Sequence, residues 1–151
     1  VHRLVEGRPL VLGGVTISWE KGLLGHSDAD VALHALMDAM LGALGEGDIG
    51  RHFPDSDEQY RGIASTELLR RVVELARNKG YRVGNCDVTI VAQAPKLAPY
   101  IEEMRANVAR VLGVDVSRVN IKATTTERLG FEGEGLGISA QAVAVMRSEA
   151  K

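Results

Sequence analysis

One segment constrains the fold of this chain more than any other: HSDADVALHALMDAMLG, residues 26–42. Leu33, Leu36, Met37, Met40 and Leu41 recur at i, i+3, i+4, i+7 and i+8, the stripe of a helix that lays one face on a core. Opposite that stripe, Asp30, His34 and Asp38 lie four apart, and His26 precedes the helix. Two readings of His34 stand at this point. It is a surface histidine in an i, i+4 charge stripe, or a metal ligand whose second ring nitrogen is held by a carboxylate one turn away. His2 and His26 lie outside the helix and can converge on it.

Such a helix needs a surface to pack on, and the remaining pattern supplies a small sheet. RPLVLGGVTISW reads as two short strands with Gly13-Gly14 at the turn. Ser27 is placed to cap the first helix, with Asp30 three positions on in imitation of a capping box. GEGDIGRHFPDSD reads as a loop. Ser65 is expected to cap a second helix with the apolar face Leu68, Leu69, Val72, Val73 and Ala76, ending near Lys79-Gly80. DVTIVAQ is strand-like and is broken by Pro95. Ile101, Met104, Val108, Val111 and Leu112 mark a third helix, stopped by Gly113. RVNIKATTT alternates Val119, Ile121 and Ala123 against Asn120, Lys122 and Thr124, a half-buried strand, and GISAQAVAVM closes the chain as another. The order predicts an α/β domain of the α+β type, a small mixed sheet covered by helices on one side. At 151 residues the chain is expected to be a single domain, residues 1–151.

Composition narrows the partners. A net charge of −2 with no concentrated basic run argues against nucleic acid, and 4% aromatic residues leave few rings for base stacking. One cysteine, Cys86, excludes an internal disulfide framework and a multi-cysteine metal site. No apolar run approaches the roughly 20 residues of a membrane-spanning helix, and no leader-like segment opens the chain. A soluble, cytoplasmic protein with no membrane partner is expected.

Two further stretches carry chemistry, each with a plainer alternative. The loop Asp48-Ile49-Gly50, followed by Phe53-Pro54-Asp55-Ser56-Asp57, is a solvated acidic turn or a loop whose backbone N–H groups face a polyol or phosphate. Lys122-Ala123-Thr124-Thr125-Thr126-Glu127 is β-propensity followed by a cap. Equally, it offers the hydroxyls, cation and carboxylate that phosphate and a divalent ion need. GFEGEGLG does not follow a strand and open a helix, so it is no dinucleotide fingerprint, and no GxxxxGK[ST] loop exists. Together these point to a domain that handles metal and phosphate.

Three stretches, HSDADVALHALMDAMLGALGEGDIGRHFPDSD, DVTIVAQAPKLAPYI and NIKATTTERLGFEGEG, resemble in order and spacing the 2-C-methyl-D-erythritol 2,4-cyclodiphosphate synthase family. The resemblance covers essentially the whole chain, and H-S-D-x-D-V-x-x-H and K-A-T-T-T-E are its most specific motifs. It implies a metal-dependent phosphorus-oxygen lyase of the non-mevalonate isoprenoid pathway. The family converts 4-diphosphocytidyl-2-C-methyl-D-erythritol 2-phosphate to the cyclic diphosphate and releases CMP. It implies a closed homotrimer with active sites at subunit interfaces. By the same resemblance Zn2+ is held by His2, His34 and an aspartate expected immediately before Val1, upstream of this sequence. A second divalent ion, Mg2+ or Mn2+, falls to Glu127. His26 and Thr125 match catalytic positions. His2, Ser27, Asp48, Ile49, Gly50, Phe53, Pro54, Asp55, Ser56 and Asp57 match contacts to the erythritol and phosphates. Ala92, Gln93, Ala94, Pro95, Lys96, Leu97 and Ala98, with Thr124, Thr125 and Thr126, match the pocket for the cytidine diphosphate partner. Lys122, Glu127 and Phe131 complete the substrate contacts.

Two competing readings remain: a catalytically silent metal-dependent trimer that binds nucleotides, and a zinc phosphohydrolase. His26, Asp48, Lys122, Thr125 and Glu127 are all present, which a silent relative has no reason to keep. In one place the chain departs from the family. Glu134 and Leu136 stand where an arginine and a glutamate are frequent, and in some relatives that arginine helps hold an isoprenoid diphosphate in the channel along the threefold axis. Three copies of Glu134 are expected to repel such an anion.

Overall fold

The structure is a computed structural model, and it describes residues 1–149. In chain order the elements are β1 (His2–Glu6), β2 (Leu10–Leu12), β3 (Val15–Ile17), β4 (Lys21–Leu23), α1 (Val31–Ala43), α2 (Ile49–His52), α3 (Ser65–Asn78), β5 (Tyr81–Val91), α4 (Ile101–Leu112), β6 (Val119–Thr124), α5 (Gly130–Gly133) and β7 (Gly137–Ser148). Five strands form one mixed sheet in the order β4-β1-β7-β5-β6, in which β5 and β6 run parallel and the other neighbours antiparallel. β2 and β3 form a separate hairpin. Its turn residues Gly13 and Gly14 sit at φ 58° and 75°, the doubly positive geometry of a type I′ turn, which a Cβ resists.

The stripe on α1 does what its spacing predicts. Leu33, Leu36, Met37, Met40 and Leu41 are fully buried, each contributing roughly 1.5–3 kcal/mol of apolar burial. The face they meet alternates along β7 as Ile138, Ala140, Ala142, Ala144 and Met146, and along β5 as Val83, Cys86, Val88 and Ile90. The run of alanines keeps β7 low enough for α1 to lie across it. α3 and α4 join α1 on this face through Leu68, Leu69, Val72, Met104 and Val108. Among the described residues the opposite face carries no long helix, only the single turn α5 at its end, where Ser139 donates to Glu132. There β7 presents Gln141, Val143, Val145 and Arg147, with Val143 68% and Val145 51% exposed. β6 adds Asn120 and Lys122, both hydrogen-bonded to Asp87.

Several local expectations are corrected. β1 and β4 were not anticipated, and β5 begins at Tyr81, ahead of DVTIVAQ, passing through a register shift between Val83 and Asn85. Ser27 does not cap α1. Ala29, at φ 58°, turns the chain just before the helix, so Asp30 becomes the N-cap and accepts from the Leu33 N–H. Ser65 is the first residue of α3 rather than its cap. Ala64 precedes it and makes no side-chain bond, and the Asp28 carboxylate accepts the Ser65 N–H instead. The GEGDIGRHFPDSD loop contains the single turn α2, capped by Asp48. Ala123 is exposed instead of packed in the core, because it lines an open cleft at the end of β6.

Candidate active site

β1, the end of β4, the turn into α1, and the segment from α2 to Tyr60 enclose a cleft of about 470 Å³. His2, His26, Ser27, His34, Ile49, Gly50, Phe53, Pro54 and Asp55 line it. Arg8 holds one wall, donating from Nε to the Leu23 carbonyl at 2.9 Å and from Nη2 to the Ser27 carbonyl at 3.0 Å. On the other wall, the Asp38 carboxylate accepts the Ile49 N–H at 2.9 Å and so ties the α2 turn to α1. Phe53 packs edge-on against Tyr60, with ring centroids 5.4 Å apart.

The two histidines whose convergence was expected do meet. His2 Nε2 and His34 Nδ1 are 3.1 Å apart. Burial pushes His34 down to about 4, with the nearby His2 adding to the shift, and burial lowers His2 as well. Both rings are therefore neutral near pH 7, the state in which imidazole binds metal. Two imidazole nitrogens on a tetrahedral zinc at ~2.05 Å each stand about 3.3 Å apart. The observed pair fits two of the four positions. Among the described residues no group of three His, Cys, Asp or Glu side chains surrounds a common point.

The carboxylates one turn either side of His34 do not hold its ring. Asp30 is completely buried and faces the hairpin, accepting from Gly13 N–H at 3.0 Å and Gly14 N–H at 2.8 Å. Asp38 is committed to Ile49. Helical spacing places residues on a face but is silent on which donors from elsewhere reach them. His34 Nε2 lies instead 3.0 Å from the Ser65 hydroxyl and 3.2 Å from that of Ser27. His26 shares the cleft but not the pair, its Nε2 lying 2.9 Å from the Asp57 carbonyl. Asp48, Ser56 and Asp57 do not line the cleft. Asp48 caps α2, Asp57 takes the N–H and the side-chain amide of Gln59, and Ser56 is exposed.

A second cleft of about 470 Å³ opens beyond the ends of β5 and β6. Ala92, Gln93, Pro95, Lys96, Leu97, Ala98, Thr124 and Thr125 line it, joined by Ile101 and Ala123, which are not among the expected site residues. Ala94, bonded through a cis peptide to Pro95, is outside the lining. Beyond it Glu127 sits at φ 54°, an uncommon conformation for a residue with a Cβ, and its N–H donates to the Thr125 hydroxyl. Thr126 is turned to the Leu129 carbonyl. Lys122 lies on the sheet face opposite α1, paired with Asp87 and away from both clefts. Phe131 lines a third hollow with Val1, Arg3 and Leu136, and Glu134 caps α5 beside it. The two larger clefts share no residue.

Residues 1–147 match the model of the YgbB family. The 2-C-methyl-D-erythritol 2,4-cyclodiphosphate synthase of Geobacillus kaustophilus is 66% identical over 147 residues, 97% of this chain and 93% of that protein. A solved structure of 2C-methyl-D-erythritol-2,4-cyclodiphosphate synthase with CDP bound superposes with a TM-score of 0.88 at 36% identity, over 97% of this chain and 95% of that one. IspF of Plasmodium falciparum in complex with CDP gives a TM-score of 0.85 at 34% identity, over 99% and 92% of the two chains. With the fold, the histidine pair and these likenesses in agreement along the same residues, the chain belongs to the YgbB family, that of the 2-C-methyl-D-erythritol 2,4-cyclodiphosphate synthases.

Proposed function

We propose that this chain is a metal-dependent phosphorus-oxygen lyase that cyclises 4-diphosphocytidyl-2-C-methyl-D-erythritol 2-phosphate to 2-C-methyl-D-erythritol 2,4-cyclodiphosphate and releases CMP. It works in the cytoplasm as a closed homotrimer, in the non-mevalonate isoprenoid pathway. The observation that carries the reading is the His2–His34 pair, two ring nitrogens 3.1 Å apart in a cleft that also holds His26, Ser27 and the Ile49-Gly50 turn. The relatives' names and the CDP bound in two similar structures support it.

In this reading His2 and His34 hold Zn2+ together with a ligand upstream of Val1. Glu127 would hold the second divalent ion, Mg2+ or Mn2+. Bound metal supplies charge neutralisation and Lewis acidity to phosphate oxygens. The rest is positioning by the chain. The apolar wall of Ala92, Pro95, Leu97 and Ile101 suits a flat base, while Gln93 and the Thr124 and Thr125 hydroxyls suit its polar groups. Ile49, Gly50, Phe53 and Asp55 bound the erythritol on the other side. An oxygen of the 2-phosphate attacks the β-phosphorus, the bond from that phosphorus to the bridging oxygen breaks, and the electron pair leaves with CMP. Because nucleophile and leaving group belong to one molecule, holding it folded supplies much of the rate. His26, steadied by the Asp57 carbonyl, and the Thr125 hydroxyl meet the charge that develops on the β-phosphoryl group. No covalent enzyme intermediate is required. The one thiol, Cys86, is buried and pushed up to about 11, the opposite of an activated nucleophile.

Two features support the trimer. The clefts assigned to the two halves of the substrate share no residue within one chain, and the sheet face opposite α1 exposes Val143 and Val145 as a patch that another subunit can cover. Phosphorus NMR of the turnover mixture tests the chemistry. Two coupled resonances of a cyclic diphosphate plus CMP are expected. A product with only open-chain phosphates overturns cyclisation in favour of hydrolysis, and a monomer with full activity by light scattering overturns the shared site.

A further inference from the structure

We infer that Asp28 and Ser65 are positioning residues for His34: a hydrogen-bonded relay from the Asp28 carboxylate through the Ser65 hydroxyl fixes the ring as its Nε2–H tautomer and leaves the Nδ1 lone pair aimed at His2. The inference rests on the reading of His2 and His34 as metal ligands and explains how one of them is prepared.

The direction of each bond follows from counting protons. A carboxylate only accepts. Asp28 Oδ1 takes the Asp30 N–H at 3.1 Å, and Oδ2 takes the Ser65 N–H at 3.0 Å. The Ser65 hydroxyl lies 2.5 Å from Oδ1, a contact in the range of charge-assisted O–H···O bonds and untenable without a proton between the oxygens. Only the hydroxyl can supply that proton. Ser65 is completely buried, so no water competes for the role. With its single proton committed to Asp28, Ser65 Oγ meets His34 Nε2 at 3.0 Å as an acceptor, and Nε2 must donate. A neutral imidazole carries one N–H. Nδ1 is therefore the lone-pair nitrogen, 3.1 Å from His2 Nε2.

Ser27 does not decide the matter. Its hydroxyl, at 3.2 Å from Nε2, accepts the Ala29 N–H and keeps a free proton, so it can serve either tautomer. The relay joins segments 37 residues apart, the turn into α1 and the first residue of α3. The tautomer is thus set by the contact between two helix starts.

Nitrogen-15 NMR of the histidine rings in the metal-free, full-length protein reads the tautomer directly, and chelator competition reads zinc affinity. The wild type is expected to show pyrrole-like Nε2 and pyridine-like Nδ1 at His34. Ser65→Ala is expected to mix the tautomers and weaken zinc by about 10- to 100-fold, and Ser65→Thr to restore both. Asp28→Asn sets an NH2 against either the Asp30 N–H or the Ser65 N–H, weakens the hold on the Ser65 hydroxyl and is expected to mix the tautomers. A wild-type ring already in the Nδ1–H form overturns the relay, as does a Ser65→Ala protein with unchanged tautomer and affinity. The wild-type spectrum needs no variant, so a misfolded variant does not spare the inference. A wild type that binds no zinc overturns the metal reading, while the tautomer still decides the relay.

Discussion

Asp30 is the most demanding polar residue in the core, and replacing it with asparagine tests what holds the hairpin to α1. Its carboxyl is fully buried and accepts three backbone N–H groups: Gly13 and Leu33 on Oδ1 and Gly14 on Oδ2. Those bonds favour the charged form, burial opposes it, and burial wins: the group is pushed up from 3.8 to about 7. An acid whose folded pKa lies above its unfolded one binds more protons folded than unfolded. Stability from this group is therefore complete below about pH 4 and is lost as pH rises toward 7. About three pH units at ~1.4 kcal/mol each set an upper limit of about 4 kcal/mol. An asparagine side chain here mimics the protonated acid, with one oxygen for Gly13 and Leu33 and an amide facing the Gly14 N–H, at a cost of about 1–3 kcal/mol for the mismatched donor. Asp30→Asn is thus expected to trail the wild type near pH 4 and to draw level or overtake it by pH 7 to 8. Urea unfolding by circular dichroism across that range gives the two profiles. Chelator removes metal linkage, and one protein concentration removes assembly from the comparison. A variant whose deficit grows with pH refutes the reasoning, because the three N–H donors would then outweigh burial.

Asp38→Asn should leave zinc content intact and raise KM several-fold, since it loosens only the Ile49 N–H anchor of the α2 turn; loss of zinc in step with activity would contradict the observed partner. In the proposed trimer, Val143→Glu is expected to shift light scattering toward smaller species with near-native circular dichroism, because the change falls on the exposed face of β7. Glu134, beside the hollow lined by Phe131 and Leu136, predicts weak or absent binding of geranyl diphosphate by calorimetry, and tight binding would refute the repulsion argument.

Elements with a strong local signature were legible in the sequence. α1, α3 and α4 carry apolar stripes at helical period, and Gly13-Gly14 announces the hairpin. β1 and β4 carry no such signature. HRLVE and KGL are short and half polar, and they become strands through pairing with β7 and with each other across long stretches of chain. The same limit governs the site. The motifs brought His2 and His34 to notice, but Asp30 and Asp38 were matched to the wrong partners, Ser65 was read only as a helix cap, and Asp28 was passed over. Each of those side chains is claimed by a backbone donor or hydroxyl from a distant segment, information that periodicity does not hold.

Because the two clefts share no residue, a defect in one leaves the other whole. In a ring where each site takes one cleft from each of two neighbours, subunits broken in opposite halves are genetic complements. Co-refolding equal amounts of His34→Ala and Thr125→Ala chains, each inert alone, places an intact pair of halves at about one interface in four. Two dead proteins mixed in one tube would then yield about a quarter of wild-type turnover, while a site contained within one chain would yield none.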